Sequence, residues 1–380
     1  MKKKNKIKIF IVGGFPIKKN KKVFGGQVTA CMQLFNSPFM ENYSVNILDS
    51  TQTSNPPPYF AFRLLFSLKR FMKFLLNIIF KRPDVAIIFF SNSLSAIEKG
   101  LMVIILRTFQ VKVLAFPRAG GLITEYFSYP WFAKFIRFSF SKANMFLCQG
   151  LTFQRFAITE LGFSKISSPI IPNWTASEVY LNIGANRNFG RKINRPHILF
   201  LGWLEESKGV LELLEAAKIL VNSKNFFHLT FAGDGGYADK ARKFVEKHQL
   251  TKNVTFAGWV DEKKKISLLK SCQIFTLPSW SEGLPNSMIE AMSAGLACVV
   301  TDVGVIKDFI AHNQDALIIK KKNISQLANS LKKLIVNQTL RANISKKAHL
   351  LASTKFSLEN GLVLLDNAIN KAIKSHKFTK

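Results

Sequence analysis

Two glutamates eight residues apart, Glu282 and Glu290, stand in the run Ser281-Glu282-Gly283-Leu284-Pro285-Asn286-Ser287-Met288-Ile289-Glu290-Ala291-Met292. An ionised carboxylate accepts hydrogen bonds from two hydroxyls at once, which suits sugar and ribose hydroxyls. Backbone N–H groups at a helix start near Pro285, Asn286 and Ser287 suit an anion such as a diphosphate. Carboxylates and helix start together suit a nucleotide-sugar. Each part also has a plainer reading. Ser287-x-x-Glu290 fits a capping box. Glu282 fits a solvated loop residue.

The elements that must position these groups are readable around them. Ile274 to Pro278 is a short apolar run that reads as a buried strand, and Ala297 to Thr301 is another. Between them lie a Gly-Leu-Pro-Asn turn and a helix whose end Gly295 marks. Strand, loop, helix and strand make a βαβ unit of a parallel sheet. Ligands of such sheets bind where strands end and helices begin. Glu282 falls in that loop and Glu290 about one turn into the helix.

The stretch from Pro278 to Asp302 resembles the signature of glycosyltransferase family 4, the glycosyl transferases group 1 family, whose mark is a Glu, seven residues and a second Glu. The matching positions are Glu282, Gly283, Pro285, Glu290, Ala291, Met292, Gly295, Thr301, Asp302 and Gly304. The resemblance implies an α/β protein of two Rossmann-like domains facing a cleft, the GT-B arrangement. A C-terminal helix would cross back to the first domain.

The resemblance also implies roles. Glu290 would hold the donor ribose, and Glu282 the sugar hydroxyls. Gly283, Leu284, Pro285, Asn286 and Ser287 would surround the donor, with Gly202 nearby and the backbone of Trp259-Val260 at the nucleobase. Lys208-Gly209 matches the second half of a Gly-Arg-x4-Lys-Gly diphosphate clamp, but Trp203 stands where the Arg belongs. In the first half, Arg118 beside Gly120-Gly121 is the candidate for stabilising the leaving phosphate. Gly25-Gly26 and Asn173 are candidates for the cleft or acceptor side. Gly25-Gly26 also reads as a plain turn, Arg118 as a surface arginine and Lys208 as a surface lysine at a helix start. Retention of anomeric configuration is implied. An inverting transfer would need a carboxylate base, and Glu125 is the best placed of the six acids in residues 1–175. That half contains no histidine, His197 being the first.

At 380 residues and 48% hydrophobic content, two ordinary domains are expected and disorder is not. Domain expectations are 1–175 for the acceptor, 176–195 as linker, 196–357 for the nucleotide-sugar and 358–380 as the returning helix. The net charge is +31. Residues 1–175 carry 24 Lys/Arg against 6 Asp/Glu, and residues 176–380 carry 30 against 17. Such a balance favours nucleic acid, anionic membranes or anionic substrates. No aromatic RNA-binding motif is present, so nucleic acid is not expected.

Cys31, Cys148, Cys272 and Cys298 are scattered, which indicates neither a zinc site nor a disulfide framework. They read as reduced thiols of a cytosolic protein. No Asp-x-Asp is present, so no metal is expected, and no cofactor beyond the nucleotide-sugar co-substrate. No run of about 18 uncharged apolar residues predicts a membrane span. Met1 to Lys6 is basic, but Ile7 to Val12 reads as a first strand rather than the core of a leader.

The stretch 62–82 has no acidic residue, and its polar positions Arg63, Ser67, Arg70, Lys73 and Asn77 recur every three or four residues. It reads as a basic amphipathic helix on an anionic membrane, or as a helix packed on the sheet with its charges in water. The stretch 129–142, with Trp131, Phe132, Phe135 and Phe138 among Lys134, Arg137 and Lys142, repeats the composition.

The expected activity is therefore retaining transfer of a sugar to an acceptor hydroxyl. The acceptor would be a lipid-linked saccharide in surface polysaccharide assembly of bacterial type (O-antigen, capsule or lipopolysaccharide). The place would be the inner face of the cytoplasmic membrane. The rivals are a nucleotide-sugar epimerase of related fold and a non-catalytic basic protein that binds lipid or nucleic acid.

Overall fold

The computed structural model describes residues 6–16, 25–51 and 59–374. The basic N-terminal residues, the lysine-rich loop with Lys18, Lys19, Lys21 and Lys22, and most of the proline-rich loop lie outside the described residues. The chain folds into two units, Met1–Asn173 with Leu358–Lys380, and Trp174–Ser357.

The first unit contains β1 (Lys8–Gly13), α1 (Gly26–Phe35), α2 (Phe39–Asn42), β2 (Ser44–Asp49), α3 (Phe60–Lys81), β3 (Val85–Phe90), α4 (Leu94–Thr108), β4 (Lys112–Pro117), α5 (Gly121–Ser128), α6 (Pro130–Phe140), β5 (Met145–Phe146) and α7 (Leu151–Thr159). The second contains α8 (Glu178–Ala185), β6 (His197–Leu201), α9 (Val210–Asn222), β7 (His228–Ala232), α10 (Ala238–Lys247), β8 (Val254–Gly258), α11 (Glu262–Ser271), β9 (Ile274–Leu277), α12 (Asn286–Ser293), β10 (Ala297–Thr301), α13 (Ile306–Phe309), β11 (Ala316–Ile319), α14 (Ile324–Val336) and α15 (Gln338–Lys355). The last helix, α16 (Leu358–Lys374), belongs to the first unit. There Tyr43 donates to Asp366 at 3.1 Å.

Every strand pairing is parallel. Helices cover both faces of such sheets, so central strands read as unbroken apolar runs. β3, Val-Ala-Ile-Ile-Phe-Phe, is buried throughout. The first sheet runs β2-β1-β3-β4-β5 and the second β11-β10-β9-β6-β7-β8. The second is a doubly wound order whose direction reverses between β6 and β9. A crevice opens beyond the C-terminal ends of strands at such a reversal.

Two expectations change. Residues 176–195 are not a plain linker, because they include α8. Tyr180 is buried there, and Arg187 just beyond donates to the carbonyls of Leu269, Cys272 and Ala294. These contacts tie the segment to the ends of α11 and α12. For α3, the reading as a packed helix with all its charges in water changes. Phe74 and Ile78 are buried against the unit, and Ser67, Arg70 and Asn77 turn toward it while Lys73 stays exposed. Ser67 and Arg70 bind Glu98 of α4, and Asn77 meets Asn46 of β2. The apolar side faces outward.

Candidate functional site

The loops after β6 and β9 flank the reversal of the second sheet, and they carry Lys208 and Glu282. Lys208 ends a short 3-10 turn, Glu206–Lys208. Gly209 follows with φ 70°, and a Cβ there would lie 2.2 Å from the Pro278 carbonyl oxygen. Only glycine allows the two loops to approach this closely. Trp280 N–H donates to the Ser207 carbonyl at 2.7 Å, and the Trp280 indole donates to Glu212 at 2.8 Å. On the other side Gly304, φ 61°, leaves room for the carbonyls of Glu282 and Gly283. Val305 N–H donates to Gly283 at 3.1 Å.

This bracing brings the Lys208 ammonium to 2.5 Å from Glu282 Oε1. Ser279 Oγ donates to the same oxygen at 2.9 Å. Both charged side chains keep some exposure, 24% and 14%. Trp280 escaped sequence reading because its partners lie in other elements, and Ser279 because a serine three residues from a glutamate carries no signal of its own.

α12 begins immediately after. Its N-cap is Pro285, with no side-chain cap and no acidic residue in the first turn. An uncapped, acid-free helix start presents N–H groups and positive dipole to an anion. Leu284 and Pro285 are themselves buried, so they contribute backbone rather than side chain. The capping-box reading of Glu290 fails, because Ser287 is inside the helix rather than at its cap. Glu290, 5% exposed, instead reaches Lys265 of α11 at 3.3 Å. Lys265 also binds Glu262 at 3.1 Å, and Tyr180 donates to Glu262. Burial raises the Glu290 carboxyl above the usual carboxylate range, against the pull of Lys265.

At the neighbouring strand ends, Gly202 N–H donates to Ala232 at 3.1 Å and Gly233 N–H to Gly258 at 2.9 Å. The rings of Trp203 and Trp259 then meet with centroids 5.1 Å apart, and Trp259 is 43% exposed. Trp203 thus replaces an expected cation with one wall of an aromatic pair. Val260 follows, half-buried.

The first-unit candidates form a separate group. Arg118 is not a surface residue. Its guanidinium lies 4.1 Å over the Phe116 ring and donates to Asn173, which also accepts from Gln149 at 2.9 Å. Burial pulls the guanidinium down to about 9. Gly120 caps α5 and Gly121 begins it. Glu125, the best-placed inverting base, accepts from Asn92 at 2.8 Å and from Ser93 N–H and Oγ at 2.7 and 2.6 Å. It ties α5 to the loop before α4. Gly25 and Gly26 open α1, whose start also lacks a side-chain cap.

A cavity of about 680 Å³ lies at the opposite end of the second sheet, before β9 and β10. Arg187 and Arg341 line it, but both are committed to carbonyls at helix ends, including Ala294 at 2.8 Å and Ile335 at 3.1 Å. It is a structural crevice apart from the Lys208–Glu282 pair.

The family model described as glycosyl transferases group 1 matches residues 185–350, which contain both loops and both glutamates. The match covers less than half of the chain and makes this segment similar to that family. The chain is 30% identical over 173 residues to the N,N'-diacetylbacillosaminyl-diphospho-undecaprenol alpha-1,3-N-acetylgalactosaminyltransferase of Campylobacter jejuni, covering 45% of this chain and 44% of that protein. It is 27% identical over 198 residues to the UDP-Gal:alpha-D-GlcNAc-diphosphoundecaprenol alpha-1,3-galactosyltransferase of Escherichia coli, covering half of each. The chain thus spans about half the length of these relatives. Sucrose-phosphate synthase from Thermosynechococcus elongatus superposes with TM-score 0.75 at 16% identity, over 96% of this chain and 98% of that one. Anabaena Alr3699/HepE in complex with UDP gives 0.70 at 14%, over 96% and 100%. These likenesses show the α/β GT-B fold. The matched segment carries the Lys208–Glu282 pair, the uncapped α12 and the Trp203–Trp259 pair.

Proposed function

We propose that the chain is a retaining glycosyltransferase of family 4. It moves a sugar from a nucleoside diphosphate to a hydroxyl of a lipid-linked saccharide in surface polysaccharide assembly. The observation that carries this reading is the Lys208–Glu282 ion pair beside the uncapped start of α12. A bound donor places its diphosphate at Lys208 and at the α12 N–H groups, which stabilise the charge that develops as the sugar–phosphate bond breaks. No metal is required in this scheme, because that cation and helix end supply the positive charge and no Asp-x-Asp is present to hold an ion. Glu282, released from Lys208 by the arriving phosphate, accepts from sugar hydroxyls and orients the ring. Glu290 accepts from the ribose, and the Trp203–Trp259 pair borders the base.

Retention needs no carboxylate base, which agrees with the engagement of Glu125. The names of the two relatives, which specify diphospho-undecaprenol substrates, support this acceptor class. UDP is the first nucleotide to try, because it occupies the Anabaena protein. Among the described residues no helix is long and apolar enough to cross a membrane. The site of action in this reading is therefore the membrane surface, at the cytoplasmic face where nucleotide-sugars are made. The test supplies the full chain with UDP-sugars and a short-chain lipid diphosphate saccharide. Release of UDP that needs both substrates, with an α-linked product from an α-linked donor, is expected. Glu282→Ala should lower the rate about a hundredfold. UDP release without product, or a product of inverted configuration, contradicts the proposal.

A further inference from the structure

We infer that the outer face of the α3–α4–α6 layer is a docking surface for an anionic lipid bilayer, with α3 lying in its plane. The inference gives the membrane-surface reading its structural element, and it stands or falls separately from the transfer chemistry. Right-handed crossovers place the connections β2–β3, β3–β4 and β4–β5 on one face of the first sheet. The contacts agree. Arg70 of α3 reaches Glu98 of α4, and Gly100 of α4 lies against Phe135 and Ser139 of α6.

α3 is an amphipathic helix turned inside out. The Glu98 carboxylate binds Ser67, Arg70 and the nearly buried Lys99, and so holds this part of the polar stripe against the unit. Outward stand Phe62, Leu65, Leu68, Met72, Leu76 and Phe80, each 49–75% exposed. They follow one another at helical spacing along about 27 Å. Lys69, Lys73, Lys81 and Arg82 are exposed among and beyond them. α6 repeats the pattern on one face with Trp131, Lys134 and Phe138, all exposed.

A contiguous apolar face of this extent marks an interaction site. The charges identify the partner. α3 and α6 contain no acidic residue. The three acids between them in the chain, Asp84, Glu98 and Glu125, are engaged with partners of the unit. A second copy of this face would set cations against cations. An anionic bilayer accepts apolar side chains at its acyl boundary and lysines at its headgroups. The surface is a long open layer rather than a groove, which fits a plane better than a peptide.

The test sediments the full chain with vesicles of phosphatidylcholine alone and of phosphatidylcholine with phosphatidylglycerol. Binding is expected to the anionic vesicles, with Trp131 fluorescence quenched by brominated lipid. Met72→Gln with Leu76→Gln, both at exposed positions, should abolish sedimentation while UDP binding is unchanged. Lys69→Gln and Lys73→Gln should each weaken it about fivefold. Failure to sediment with either vesicle overturns the inference, and transfer to a detergent-dispersed acceptor would then leave the enzyme reading intact. A wild-type dimer dissociated by the Met72/Leu76 substitutions would also overturn it, by making the face an interface between copies. Sedimentation without any transfer would leave the surface standing and remove the transfer reading.

Discussion

Lys208 and Glu282 neutralise one another while no donor is bound, so each limits the other's affinity for ligand. A phosphate must compete with a carboxylate for the ammonium, and a sugar hydroxyl must compete with an ammonium for the carboxylate. In the proposed reaction this exchange couples phosphate binding to the freeing of Glu282. Glu290 is set differently. Its carboxyl is raised by burial, so the stability that it contributes is complete below the ordinary carboxylate range and is lost as pH rises through the raised value. Glu290→Gln holds the neutral form at all pH. The melting temperature of the wild type should therefore fall relative to Glu290→Gln as pH rises through that range, in paired thermal scans. A constant difference would show that Lys265 fully compensates the burial. The types and spacing of the two glutamates were legible because the strand, turn and helix around them are local. Their partners were not. Lys265 and Lys208 reach them from elements far back in the chain, and nothing near either glutamate announces the contact.

At the scale of elements, the site depends on three backbone segments packed at glycine distance. The loop before α12 is held between Gly209 and Gly304, both in the left-handed region. A Cβ at Gly304 would stand 2.2 Å from the Glu282 carbonyl oxygen. Gly304→Ala should therefore cost about 1–3 kcal/mol of stability by denaturant titration and displace Glu282 from its sugar. Nucleotide binding should suffer less than transfer, and an unaffected rate would show that the loop is not held this way. The glycine requirement at Gly304 was visible in the sequence as part of a motif. Its cause, the approach of another loop, was not. The same division holds for helices. α14 and α16 show strong apolar periods, and the start of the last helix at Leu358 was legible. α8 is eight residues long with a glycine near its end, and it is held by tertiary contacts through Tyr180 and Arg187. For α3 the period was legible but its direction was not, because a polar stripe looks alike facing water or facing Glu98.

At the scale of the molecule, two parallel sheets with reversed winding place the ligand-bearing loops at strand ends, and a net charge of +31 surrounds them. That field draws anionic ligands and surfaces toward the protein and is screened by salt. It does not by itself select a donor, and the proposed function assigns donor recognition to the pair at the reversal of the second sheet. The first unit is completed by α16, which returns after the whole second unit has been traversed. The basic excess of the first half and the acid-free helices α3 and α6 belong to the same unit. The most direct measurement is a calorimetric titration of the full chain with UDP and with UDP-sugars, comparing wild type, Lys208→Ala and Glu282→Ala. Lys208→Ala should weaken UDP and UDP-sugar alike. Glu282→Ala should bind UDP at least as tightly as wild type, because the competing carboxylate is gone, and should lose the added affinity that the sugar confers. If both variants bind every nucleotide and nucleotide-sugar as the wild type does, the Lys208–Glu282 pair is not the donor site.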